Sequence, residues 1–214
     1  MGLILVWVIG KYPALIALMV PIGFISAISG GRQNVTSNAK IDNSMKKITD
    51  INQGDLLTFR TADKIYKVLI CTSTNKEKSP QNFTFAALTY DDTEKPTVEK
   101  ILNCEFWGIG NTKNDYFKYS DSELNQMWTF HPENKPYFLG SFGLFIWRKD
   151  FMKFRDNFDF IGNLKIVDNL DKNGNGGMNA SDWNYIQDFF ANKINSVLIE
   201  RGQKTFKVKA ITKH

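Results

Sequence analysis

The chain has 214 residues, 43% hydrophobic and 23% charged, with 15 Gly, 6 Pro and 2 Cys. That composition excludes a disordered chain, a collagen-like chain and a disulfide-dense scaffold. Lys11, Arg32 and Lys40 precede the first acidic residue, Asp42, so residues 42–214 carry 24 basic and 22 acidic side chains and the net +5 is no footprint of nucleic acid.

From Leu3 to Ser29 the chain is apolar except for Lys11. As a helix this segment rises about 40 Å, enough to cross a hydrocarbon core of about 30 Å. Pro13 and Pro21 are tolerated in membrane helices, and Trp7 and Tyr12 suit an interface. A transmembrane-type helix is therefore expected within an apolar anchor or signal segment, residues 1–31, followed by a polar linker over 32–44. With Arg32, Lys40, Lys46 and Lys47 after the run, an anchored protein places its domain in the cytoplasm. Two alternatives stand beside the anchor. Ala14–Ile25 followed by Ala27-Ile28-Ser29 also fits a cleaved signal peptide and hence secretion. Met45-Lys46-Lys47 reads as an ordinary protein start, which would leave a soluble cytoplasmic domain without residues 1–44.

Residues 45–214 read as a single globular domain. Asp55–Arg60, Ile65–Thr72 and Phe83–Tyr90 are short, rich in β-branched and aromatic residues, and predict strands, the first two joined by a hairpin at Thr61–Lys64. Val98–Phe106 predicts another strand. Ser120-Asp121-Ser122-Glu123 matches a capping box and predicts a helix over Asp121–Trp128. Tyr137–Trp147, broken by Gly140 and Gly143, predicts strand and turn. Trp183, Ile186, Phe190, Ile194, Val197 and Leu198 recur at helical spacing and predict one long C-terminal helix ended by Gly202. Thr205–Thr212 alternates as a strand. The expected class is α+β: a curved antiparallel sheet packed by that helix.

Cys71 and Cys104 are far apart in apolar contexts, which suits buried thiols; a disulfide would need an oxidising compartment. No zinc site is expected: the two Cys are far apart and in no CxxC, and of the two His, His214 is the last residue.

The most specific feature is Asp171-Lys172-Asn173-Gly174-Asn175-Gly176-Gly177-Met178-Asn179-Ala180-Ser181-Asp182. Side-chain oxygens fall at positions 1, 3, 5 and 12, Gly at 6, and a backbone carbonyl at 7, as calcium requires of a tightly turned oxygen loop. Met178 at position 8 suits inward packing, and Asn179 at position 9 can hold a bridging water. The segment resembles EF-hand loops, and more closely the dockerin variant, which ends in Asp and leads into a helix. The resemblance implies ligation of Ca2+ by Asp171, Asn173, Asn175, the Gly177 carbonyl and Asp182. Two carboxylates and no second loop imply a weak, structural site, and no cohesin-binding role carries over. The metal-free alternative is an Asn/Gly turn leading into a capped helix.

Gln53-Gly54-Asp55-Leu56-Leu57-Thr58-Phe59 followed by Tyr66-Lys67-Val68-Leu69 is similar to the opening of small bacterial immunity-type proteins. That resemblance implies a protein-binding module without an active site. GxSxG, HExxH and GxxxxGK[ST] motifs are absent. Residues 104–160 hold 16 Phe, Tyr or Trp, which suit either a core or a binding groove. The expected function is a non-catalytic binding or interaction domain with a protein partner and one weak calcium loop. An enzyme using His131 and Glu133 is one alternative. Nucleic-acid binding through Phe145–Arg155, which interleaves aromatics with four cations, is the other.

Overall fold

The computed structural model describes residues 50–76, 80–112 and 121–213; of Thr112 and residues 121–125 only the backbone is described. The expected N-terminal helix, the linker and Met45 lie outside the described residues. Among the described residues no helix is long and apolar enough to cross a membrane.

The chain runs β1 (Asp55–Arg60), β2 (Tyr66–Ser73), β3 (Asn82–Ala87), α1 (Val98–Leu102), β4 (Glu105–Thr112), α2 (Asp121–Phe130), β5 (Tyr137–Ser141), β6 (Gly143–Trp147), α3 (Arg148–Phe154), β7 (Asp159–Asn163), β8 (Gly177–Asn179), α4 (Trp183–Asp188), α5 (Ile194–Glu200) and β9 (Lys204–Lys207). Helices and antiparallel strands are segregated, so the class is α+β. The strands form two sheets rather than the single sheet expected. A six-stranded sheet has the order β7-β1-β2-β3-β6-β8, and a three-stranded sheet has the order β5-β4-β9. The Leu88–Phe106 bridge joins them. The larger sheet is antiparallel except where β8 runs parallel to β6.

The central strands are apolar on both faces because both are covered. Leu57, Phe59, Leu69, Cys71, Phe83, Phe85, Leu144 and Ile146 face one core, under α3 and the C-terminal helix. Leu56, Val68, Ile70, Ala86 and Leu88 face a second core, closed by Ile101, Phe106, Met127, Phe138 and Leu170. In the first core the Phe59 ring meets Phe158, Trp183 and Phe190 edge-on at 5.5, 5.4 and 5.2 Å. Such geometry adds about 0.5–1.5 kcal/mol per pair beyond burial.

Three expected elements differ. Val98–Phe106 is not one strand: Thr97 caps α1, its side chain accepting from the Lys100 amide, and β4 starts only at Glu105. The expected strand Thr205–Thr212 stops at Lys207. A 3-10 turn then buries Val208 and Ile211, three residues apart, in the second core. The long C-terminal helix is present from Trp183 to Glu200, but a π-helical segment over Phe189–Lys193 separates α4 from α5. Phe189 and Phe190 are adjacent and both buried, and the wider π turn lets both rings face the core. Both thiols are free; Cys71 belongs to the first core and Cys104 packs against the second, on opposite sides of the sheet.

Candidate functional site

The turn preceding β8 is anchored at both ends. Leu170 is fully buried and its carbonyl accepts from the Ser141 amide at 2.8 Å. Asn169 has φ +63°, a left-handed geometry that Asn tolerates. Asn173 N donates to Asn169 O at 2.8 Å, and Gly143 N donates to Gly176 O at 3.1 Å. Gly174 lies so close to the Ser141 carbonyl, and Gly140 to the Asn173 backbone, that a Cβ at either position would collide with main chain. Tight backbone approach, and not only turn propensity, therefore selects glycine here.

The five expected ligands have distinct neighbours. Asp171 lines a cavity of about 360 Å³ with Ser73, the last residue of β2, and Asn75 and Lys76 of the β2–β3 loop. Asn173 is 3% exposed; its Nδ2 donates to Leu139 O at 3.4 Å, and its Oδ1 is buried without a hydrogen-bond partner. Asn175 Oδ1 accepts from Gln203 Nε2 at 2.7 Å. Gly177 opens β8 opposite Gly143, under the Phe145 ring. Asp182 caps α4, its Oδ1 accepting from the Tyr185 amide at 2.8 Å. Met178 packs on the first core, as its loop position suggests. Asn179 Oδ1 accepts from the Ser181 amide at 3.0 Å.

The donor set is entirely hard oxygen, which fits calcium rather than a transition metal. The orphaned Asn173 Oδ1 is the kind of buried acceptor that an ion or water satisfies. Among the described residues no group of three or more His, Cys, Asp or Glu is gathered for a metal, so an ion here would rest largely on neutral oxygens. No local pattern marks Ser73, Asn75 or Gln203 as neighbours of the loop. They come from polar segments far away in the chain, with no periodicity to mark them.

A second feature is the outer face of β6. Leu144 and Ile146 point into the first core, so Phe145 and Trp147 point the other way, beyond the reach of the second core, and are 37% and 39% exposed. Met152 on α3 is 51% exposed. Lys149 Nζ sits 4.3 Å from the Trp147 ring centroid. The other cations of this stretch have internal partners. Arg148 donates to the Thr74 and Pro80 carbonyls and covers the Phe83 ring at 4.0 Å. Lys153 pairs with Asp150 at 2.7 Å and Arg155 with Asp156 at 3.7 Å.

His131 and Glu133 are in contact, Nδ1 to Oε1, at 3.0 Å. The other ring nitrogen faces Thr212 O at 2.6 Å. These two contacts tie the end of α2 to the C-terminal segment. Glu133's own backbone amide, and then His131, hold its carboxyl below the usual carboxylate range. Glu133 edges a groove of about 650 Å³ floored by Ile109, Leu139 and Phe206.

The chain matches no protein-family model, no curated protein and no solved structure.

Proposed function

We propose that this protein is a non-catalytic binding domain for a protein partner, stiffened by one weakly bound calcium ion in the loop Asp171–Asp182. The observation that supports the calcium reading best is Asn173 Oδ1, a loop-position-3 oxygen that is buried without a partner. Binding would hold the turn against β5 and β6 and fix the start of α4, whose Trp183 and Ile186 pack on the first core. The partner reading rests on Phe145 and Trp147, aromatic side chains exposed on the outer face of β6 at its junction with α3; aromatic anchors dominate interface energetics. Internal pairing of Arg148, Lys153 and Arg155 argues against nucleic acid as the occupant. We also propose that residues 3–29 anchor the chain in a membrane with this domain on the cytoplasmic side.

The test is affinity capture from the native host with the unmutated chain and with a Phe145→Ala, Trp147→Ala double variant, in calcium and in chelator. A partner retained by the unmutated chain and lost with the double variant supports the reading. Equal capture by both removes the β6–α3 corner as the interface.

A further inference from the structure

A cleft of about 290 Å³ opens where the two sheets meet the π segment of the C-terminal helix. Its walls include Lys67, Thr89, Asp91, Trp107, Asn192 and Asn195. Lys67 is the anomaly. It stands on β2 in register with Phe59 and two residues before Leu69, on the face that forms the first core, where the pattern calls for an apolar side chain. It is only 8% exposed, and lysine is rarely so buried unless paired. Its partner is Asp91, whose carboxylate lies 2.9 Å from Nζ and is 64% exposed at the mouth. A buried ammonium and a rim carboxylate thus sit side by side in a cavity at the small end of the range for ligand sites. The adjacent wall is a π turn, a local irregularity frequent at functional sites, and it brings Asn192 and Asn195 to the opening.

We infer that this cleft binds a small zwitterion, an α-amino acid with a short side chain. The argument is charge pairing. A simple carboxylate set against Lys67 would lie beside the like charge of Asp91, and a simple amine drawn to Asp91 would strand the buried Lys67. A ligand carrying both charges sets its carboxylate against Lys67 and its ammonium against Asp91, so every charge stays paired. Asn195 offers an amide with both donor and acceptor, and Asn192 offers its remaining capacity beside the bond its Nδ2 makes to Asp188. Trp107 and Phe190, both nearly buried, leave an apolar wall for a methyl-sized substituent. This site is independent of the calcium loop and of the β6–α3 corner.

Titration of the full chain with L-alanine, followed by the NMR shift of the Trp107 indole N–H and the Asn195 side-chain amide, tests the assignment. Saturable shifts are expected with L-alanine. Lactate, which lacks the ammonium, and L-alaninamide, which lacks the carboxylate, should each bind about tenfold or more weakly, the loss expected for one charge-assisted contact. Lys67→Met should abolish the response. Asp91→Asn removes the carboxylate charge but keeps an amide oxygen as an acceptor for Lys67, and should weaken L-alanine by a similar factor. Absence of a saturable shift with L-alanine, equal binding of lactate or L-alaninamide, or undiminished binding by Asp91→Asn would overturn the assignment.

Discussion

Single residues here are constrained by what lies within one atom of them. Gly54 has φ +84°, and a Cβ there would overlap the Leu164 carbonyl, whose own amide donates to Gly54 O at 2.9 Å. Gly54→Ala therefore carries both backbone strain and a main-chain collision, and should destabilise the domain by about 2–4 kcal/mol in urea unfolding. The two cysteines report burial differently. Burial first, and the Asp55 charge next, push the Cys71 thiol far above its ordinary value; burial raises Cys104 less. A raised pKa means less thiolate at neutral pH, so a thiol reagent should modify Cys104 slowly in the native state and Cys71 only when the protein unfolds. Equal native-state rates would contradict the placement of Cys71 in the first core. At this scale the sequence was informative about identity and silent about neighbours. The Asp171–Asp182 spacing stands out in the chain. That Asn175 meets Gln203, or that Lys67 is buried against Asp91, depends on how distant segments pack, and no local pattern encodes it.

Elements whose signal is local were legible, and those decided by tertiary contacts were not. β1 and the Thr61–Lys64 hairpin follow from β-branched runs around a polar turn. The strand expected over Val98–Phe106 is instead a helix in its first half because Val98, Ile101 and Leu102 fall at i, i+3 and i+4, the helical spacing, and Thr97 caps the turn they form. β8 is three residues long and exists only because β6 lies alongside. Two consequences can be checked. Asp182 caps α4 in the absence of any metal, so Asp182→Ala should cost about 1 kcal/mol even in chelator, whereas Asp171→Ala should cost more stability in calcium than in chelator. Equal effects of both variants in chelator would show that Asp171 has a metal-independent role of the same size. Glu105 and Lys207 face each other across β4 and β9 at 2.8 Å. The Lys207 and Thr205 side chains hold the Glu105 carboxyl below its ordinary value. Because the folded pKa is depressed, the contribution is complete above the unfolded value and is lost as pH falls through the folded one. Glu105→Gln should remove about 0.5 kcal/mol at pH 7 and flatten that part of the acid limb; an unchanged pH profile would mean that the pair does not couple the strands.

At the scale of the molecule, two cores on opposite faces of one sheet explain why nearly every strand residue of β1 to β3 is buried and why the exposed aromatics Phe145 and Trp147 fall on β6, where the second core ends. The C-terminal helix closes the first core, and the loop Asp171–Asp182 fixes where that helix begins. Calcium held by that loop should accordingly stabilise the whole domain and not the loop alone. Thermal unfolding of the full chain in chelator and in about 10 mM calcium tests this most directly. With a dissociation constant on the order of 10⁻⁵ to 10⁻³ M, binding to the native state alone predicts a rise in Tm of about 3–15 °C. The rise should vanish in Asp171→Ala and persist in Lys172→Ala. The same Tm in chelator and in calcium for the unmutated chain would contradict the account, leaving the loop as an Asn/Gly turn that caps a helix.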